Sequence, residues 1–204
     1  MFAQDRLSLD RCVHALCLHM RCLLAALLLL VNLLPGYAHA DDTGDFQVED
    51  AHAWSEEGMH MLDAQFVVQL SSGAQEALEN GVPLILEFQA QLVKTHKWFW
   101  DTVDVELTQR RQVQYHALSR SYLVRDINAG TQGNYRRLED ALRAAGSIQD
   151  LVLTTTPLEA GHRYLVRIRG SLDIESLPTP VRLLAYVSSA WDMQSEWYTW
   201  PLAR

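Results

Sequence analysis

The chain has 204 residues with 17 basic and 25 acidic side chains, a formal charge of −8 at neutral pH. That length supports one domain with a real core. The acidic balance argues against nucleic acid or anionic headgroups held by bulk electrostatics. All three cysteines, Cys12, Cys17 and Cys22, fall at the N-terminal end.

The chain opens with the three parts of a secretory signal. Arg21 supplies a positive flank, Leu23 to Val31 an apolar run, Pro35-Gly36 a helix break, and Ala38-His39-Ala40 the small residues at which signal peptidase cuts. From Cys22 to Leu34 there are 13 residues, interrupted by Asn32, whereas a spanning helix needs roughly 20 apolar ones. Residues 1–40 are therefore expected to be removed on export. A single β-rich domain over 41–204 would remain, in the periplasm or on the periplasmic face of the inner membrane of a Gram-negative bacterium. Asp5 and Asp10 do not suit the start of a signal, so residues 1–19 read as a misplaced start and Met20-Arg21 as the natural one. His19-Met20-Arg21 is not the small apolar run that would direct a lipid anchor to Cys22. The exported 164 residues hold no cysteine, which removes a disulfide framework, a thiolate metal site and a cysteine nucleophile. They carry 14 basic and 23 acidic residues, a net charge of −9.

Beyond Asp42 the dominant signal is alternation with a period of two, the mark of strands with one buried face. Phe46–Trp54 reads as a strand, and Leu62, Ala64, Phe66, Val68 and Leu70 share one face of the next. A helix is predicted over Gly73–Asn80, with Ser72 and Gln75 as a capping box and Gly81 as its left-handed stop. Val82, Leu84, Leu86, Phe88, Ala90 and Leu92 alternate again. Val103, Val105 and Leu107 keep parity with Val113, Tyr115 and Ala117, as one long strand or two joined near Arg110-Arg111. Tyr122–Ile127 is a further strand, and Gly130-Thr131-Gln132-Gly133, lacking a lysine, reads as a hairpin turn rather than a phosphate loop. The second helix is predicted over Tyr135–Ala145, with Asn134 as N-cap and Gly146 as C-cap. Strands follow at Leu151–Thr156, at Tyr164, Val166, Ile168 and Leu172, and at Arg182–Val187. Leu177-Pro178-Thr179-Pro180 reads as an extended connection. The expected fold is mainly β: an antiparallel β-sandwich or open barrel with two short helices, preceded by the signal peptide.

Chemical motifs are scarce. Met59-His60-Met61 resembles a soft copper site, but on a strand the methionines project opposite to the histidine, so no metal is expected there. His52, His96, His116 and His162 lack zinc-type spacing. Asp101, Asp104 and Glu106 lie close together, and Asp104 and Glu106 are expected on one strand face, where acidic residues usually meet solvent. No Gly-x-Ser-x-Gly elbow occurs. No catalytic residue and no cofactor is therefore assigned.

Two constellations stand out. Arg163, Arg167 and Arg169 form a basic stripe, suited either to an anionic ligand or to cross-strand pairing with neighbouring carboxylates. Trp98-Phe99-Trp100-Asp101 and the group Trp191, Trp197 and Trp200 concentrate large rings, some of which must point away from the main core, to close the sandwich or to face a partner.

The stretches Trp98-Phe99-Trp100-Asp101, Tyr115-His116-Ala117-Leu118 with Tyr122, Leu172-Asp173-Ile174 before Leu177-Pro178, and the closing Trp191 to Trp200 resemble an uncharacterised proteobacterial family of exported proteins, domain of unknown function 4390. The likeness runs from about Phe46 to Leu202. It implies no agreed activity. Its genes often lie beside those of a two-component sensor kinase and regulator, which implies an envelope partner for a membrane sensor. The leading expectation is a non-enzymatic interaction module whose contact surface includes Trp98, Trp100, Asp101, Trp197 and Trp200. The alternatives are a periplasmic carrier of an apolar ligand or lipid, and a hydrolase using acidic residues.

Overall fold

A computed structural model of the chain describes residues 43–96, 98 and 100–202. The signal peptide, the Met20 start and the cleavage site at Ala38 and Ala40 lie outside the described residues, as do Lys97 and Phe99.

The described residues are mainly β, in two antiparallel sheets with three short helices. The first sheet has the order β1 (Asp45–Glu56), β2 (Met59–Gln69), β7 (Ser147–Thr154). The second has six strands: β6 (Gln132–Tyr135), β5 (Ser121–Asp126), β4 (Thr102–His116), β3 (Leu84–Thr95), β8 (Arg163–Leu172) and β9 (Tyr198–Pro201). The sheets pack face to face because each alternating strand has one apolar side to bury. Phe46 and Phe66 from the small sheet meet Phe88 of β3, with ring centres 6.1 and 4.7 Å apart. Leu84, Leu86, Leu92, Val166 and Ile168 complete the centre of the core.

The small sheet covers only part of the large one. Helix α2 (Leu138–Ala145) packs on β4, β5 and β6 beside it, burying Ala141, Leu142 and Ala145. Two bonds moor its end to β2: Phe66 N–H donates to Gly146 O at 2.9 Å, and the Gln65 amide donates to Arg143 O at 3.1 Å. Arg111 and Asp126, neighbours in register on the core side of β4 and β5, form an ion pair there at 2.9 Å. Among the described residues no helix is long and apolar enough to cross a membrane.

Several local features differ from expectation. Helix α1 spans Ser72–Glu79 and its cap is Ser71, not Ser72: the buried Ser71 hydroxyl accepts from Ala74 N–H. The Gln75 amide turns instead to Glu79 at 2.9 Å. Gly81 does stop the helix in the left-handed region, with φ of 85°. The second helix begins at Leu138 rather than Tyr135. Tyr135 and Asn134 are claimed by β6, in register with Tyr122 and Leu123, so their backbone groups belong to the sheet.

Arg182–Val187 is not a strand. Helix α3 (Thr179–Ala185) takes its first four residues; Leu177 and Pro178 are extended as expected, whereas Thr179 and Pro180 already belong to the helix. Pro180 sits in the first turn, where its missing N–H has no helical acceptor to lose. The described residues therefore hold a third helix.

A bulge in β4 also breaks parity. Val103 and Val105 oppose the adjacent residues Val93 and Leu92, so Asp104 is the extra residue. Asp104 consequently lines a cleft of about 340 Å³ with Leu92, Val105 and Tyr164, whereas Glu106 turns to Gln91 on the opposite side. The two carboxylates do not share a face.

Candidate functional site

β3 and β4 form the long central hairpin of the large sheet, and the six residues 96–101 close it. The closure has its own clasp. Asp101 Oδ1 accepts from His96 N–H at 3.2 Å, and the Thr102 hydroxyl lies 3.3 Å from His96 Nε2. Asp101 thus ties one end of the loop to the other, a role its place in the motif did not announce. With the loop ends pinned, Trp98 and Trp100 stand out from the tip, 89% and 92% exposed.

The base of the tip is bolted to the segment between β7 and β8. Lys94 Nζ meets Glu159 at 2.6 Å, and the Thr95 hydroxyl donates to Arg163 O at 3.1 Å. His162 Nδ1 lies 3.5 Å from the same Glu159 carboxylate, and its ring meets that of His96 edge-on at 5.7 Å. The hydrogen bond from Lys94 holds the Glu159 carboxyl below its ordinary range, and the same bond raises the Lys94 ammonium.

The other two tryptophans expected on this surface are elsewhere. Trp200 is half-buried against the core beside Tyr198, at a ring distance of 5.5 Å. Trp197 covers the outer face of the large sheet, where the guanidinium carbons of Arg167 and Arg169 stand 4.8 and 4.6 Å from its ring centre. Arg169 pairs with Gln89, six residues along β3 from Thr95. Trp197 is thus about 20 Å down the sheet from the hairpin tip. Trp191, the remaining C-terminal ring, is buried against α1.

The basic stripe also differs from its simpler expectation. Arg163 is exposed at the start of β8. Arg167 and Arg169 are half-buried, and neither pairs with a carboxylate among the described residues. Arg167 Nε donates to Gln91 at 2.6 Å and Arg169 Nε to Gln89 at 2.9 Å. Cross-strand partners exist, but they are neutral amides.

Helix α3 and the two residues after it carry a feature that the alternating pattern does not reveal. Leu183, Leu184 and Val187 are largely exposed, and Tyr186 donates from its hydroxyl to Glu175 at 2.5 Å. Read as a strand, these residues fall on alternating faces. Pro180 as a first-turn residue is the signal that places Leu183 and Leu184 in a helix instead. Elsewhere, His60 Nδ1 is bonded to the Ser55 hydroxyl at 2.6 Å rather than facing the flanking methionines. Among the described residues no group of three or more His, Cys, Asp or Glu side chains is placed to hold a metal ion.

Comparison with known proteins returns one finding: the family described as a domain of unknown function (DUF4390) matches residues 43–201. No curated protein and no solved structure matches the chain.

Proposed function

The chain belongs to the DUF4390 family, domains of unknown function, and from that premise we propose a non-enzymatic interaction module of the cell envelope that engages a membrane protein through the β3–β4 hairpin tip. The carrying observation is the pair Trp98 and Trp100, almost fully exposed on a loop clasped by Asp101. A lone exposed apolar residue is ordinary on a protein surface; two indoles within three residues at the end of a hairpin are not. A partner that buries one such ring gains roughly 4 kcal/mol from its area before association costs. The bonds between His96 and Asp101 and Thr102 tie the two ends of the loop together, which lowers part of those costs. Export to the periplasm, or to the periplasmic face of the inner membrane, and a two-component sensor kinase as the partner belong to this proposal.

The alternatives draw less support from the geometry. A carrier of an apolar ligand needs a hollow between the sheets, where Phe46, Phe66 and Phe88 pack against one another. A hydrolase needs converging carboxylates, and the bulge sends Asp104 and Glu106 to opposite sides.

In-cell cross-linking of the tagged protein, with captured proteins identified by mass spectrometry, tests the proposal. One membrane protein should be recovered reproducibly and lost in Trp98→Ala/Trp100→Ala, whose fold circular dichroism verifies. That protein's periplasmic part should then bind the purified chain. Equal recovery with both forms, or recovery of abundant envelope proteins alone, overturns it.

A further inference from the structure

The outer face of the large sheet carries an ordered polar ladder. Arg167 and Arg169 lie two residues apart on β8 and so point to the same side, in register with Gln91 and Gln89 of β3. Each glutamine presents its amide oxygen to an arginine because its nitrogen is already committed. Gln91 donates to Glu106 at 2.9 Å and Gln89 to Glu87 at 2.8 Å. Each arginine therefore uses its Nε–H, and both guanidinium groups flank the ring of Trp197. What remains on each is the Nη pair, four N–H donors, for which no protein acceptor stands among the described residues.

Two like charges converging on one ring repel each other, and partial burial weakens the screening by water. Nearby charge does not cancel them. Arg110 is answered by Glu87 at 3.0 Å, which leaves Glu106 against both Arg167 and Arg169. This face is thus locally cationic on a domain whose residues 41–204 total −9.

We propose that Arg167, Arg169 and Trp197 form a binding site for a dianionic phosphate, free or as a monoester. The charge supports this class: such a group carries about −1.5 to −2 at neutral pH, enough to answer two guanidiniums, where a carboxylate answers one. Its three terminal oxygens can serve two forks that the indole holds in place. A long polyanion such as nucleic acid would meet the domain's overall negative charge. The phosphate can be free, on a small molecule, or the headgroup of a phosphatidate lipid. This site is separate from the hairpin tip and does not rest on the function proposed above.

Calorimetric titration of the purified protein at constant ionic strength tests it. Inorganic phosphate should bind, with acetate roughly tenfold weaker or more. Arg167→Gln/Arg169→Gln should abolish the phosphate signal, and Arg167→Lys/Arg169→Lys, which keeps the charge but loses the fork, should lose most of it. Trp98→Ala/Trp100→Ala should bind phosphate normally, which separates this site from the hairpin. If the glutamine variant fails to fold, the lysine variant and Trp197→Ala carry the comparison. Vesicles containing phosphatidate separate the sources. Binding that inorganic phosphate competes away places the lipid in this site; no vesicle binding beside phosphate binding leaves a free or small-molecule phosphate as the ligand. No phosphate binding at millimolar concentration, equal binding of phosphate and acetate, or full binding by the variants overturns the proposal.

Discussion

A methyl group built on Gly170 would stand 2.6 Å from the ring of Phe46, which crosses β8 there to reach Phe88. The flanking strands leave that ring little room to retreat. Gly170→Ala should therefore lower stability by roughly 1–3 kcal/mol, outweighing the smaller gain from a stiffer unfolded chain. A urea denaturation midpoint checks it; an unchanged midpoint would mean that the ring shifts freely. The tryptophans divide on the same principle of local surroundings. Trp98→Ala and Trp100→Ala should each leave stability within about 0.5 kcal/mol, since those rings touch little, whereas Trp191→Ala should cost about 3–5 kcal/mol. Thermal melts of the three variants make the comparison. The composition of the Trp98 and Trp191 segments does not separate them; only their neighbours do.

At the scale of elements, the segment between β7 and β8 is held to the hairpin by Lys94 and Glu159. The depressed Glu159 carboxyl contributes its part above the ordinary carboxylate range and loses it as pH falls through its lowered value. The raised Lys94 ammonium contributes below the ordinary ammonium range and loses its part as pH rises through its raised value. The latch should thus hold through neutral pH and release only in acid or strong alkali. An NMR titration that follows the Glu159 side-chain carboxyl should show its acid transition below the usual carboxylate midpoint, and Glu159→Gln should remove it. A Glu159 transition at or above that midpoint would show that the latch does not form. Strand identity was largely legible here, because alternation runs through most of β2 and all of β8 and holds in β3 as far as Ala90, after which Gln91, Leu92 and Val93 are buried alike. Helix edges were less so. Asn134 has the chemistry of a cap, but pairing with Leu123 in the sheet competes for its backbone and prevails.

For the whole molecule, Phe88 is the joint. It belongs to the large sheet and meets Phe46 and Phe66 of the small one. Phe88→Ala should cost about 3–5 kcal/mol, and the loss should fall on both sheets together. Far-ultraviolet dichroism and tryptophan fluorescence should still report a single shared transition at a lower midpoint. Two separated transitions would show that the sheets fold as independent units. The β class, the antiparallel character and most of the core follow from the order of residues alone, because a strand with one buried face must alternate whatever its partners are. That order also marks the aromatic and basic residues worth watching. Packing between distant strands settles that Trp98 and Trp100 project while Trp197 lies against two arginines, that a bulge parts Asp104 from Glu106, and that Arg167 and Arg169 meet glutamines rather than carboxylates. Those outcomes depend on which strand lies alongside and in what register, and that is set by contacts between residues far apart in the chain.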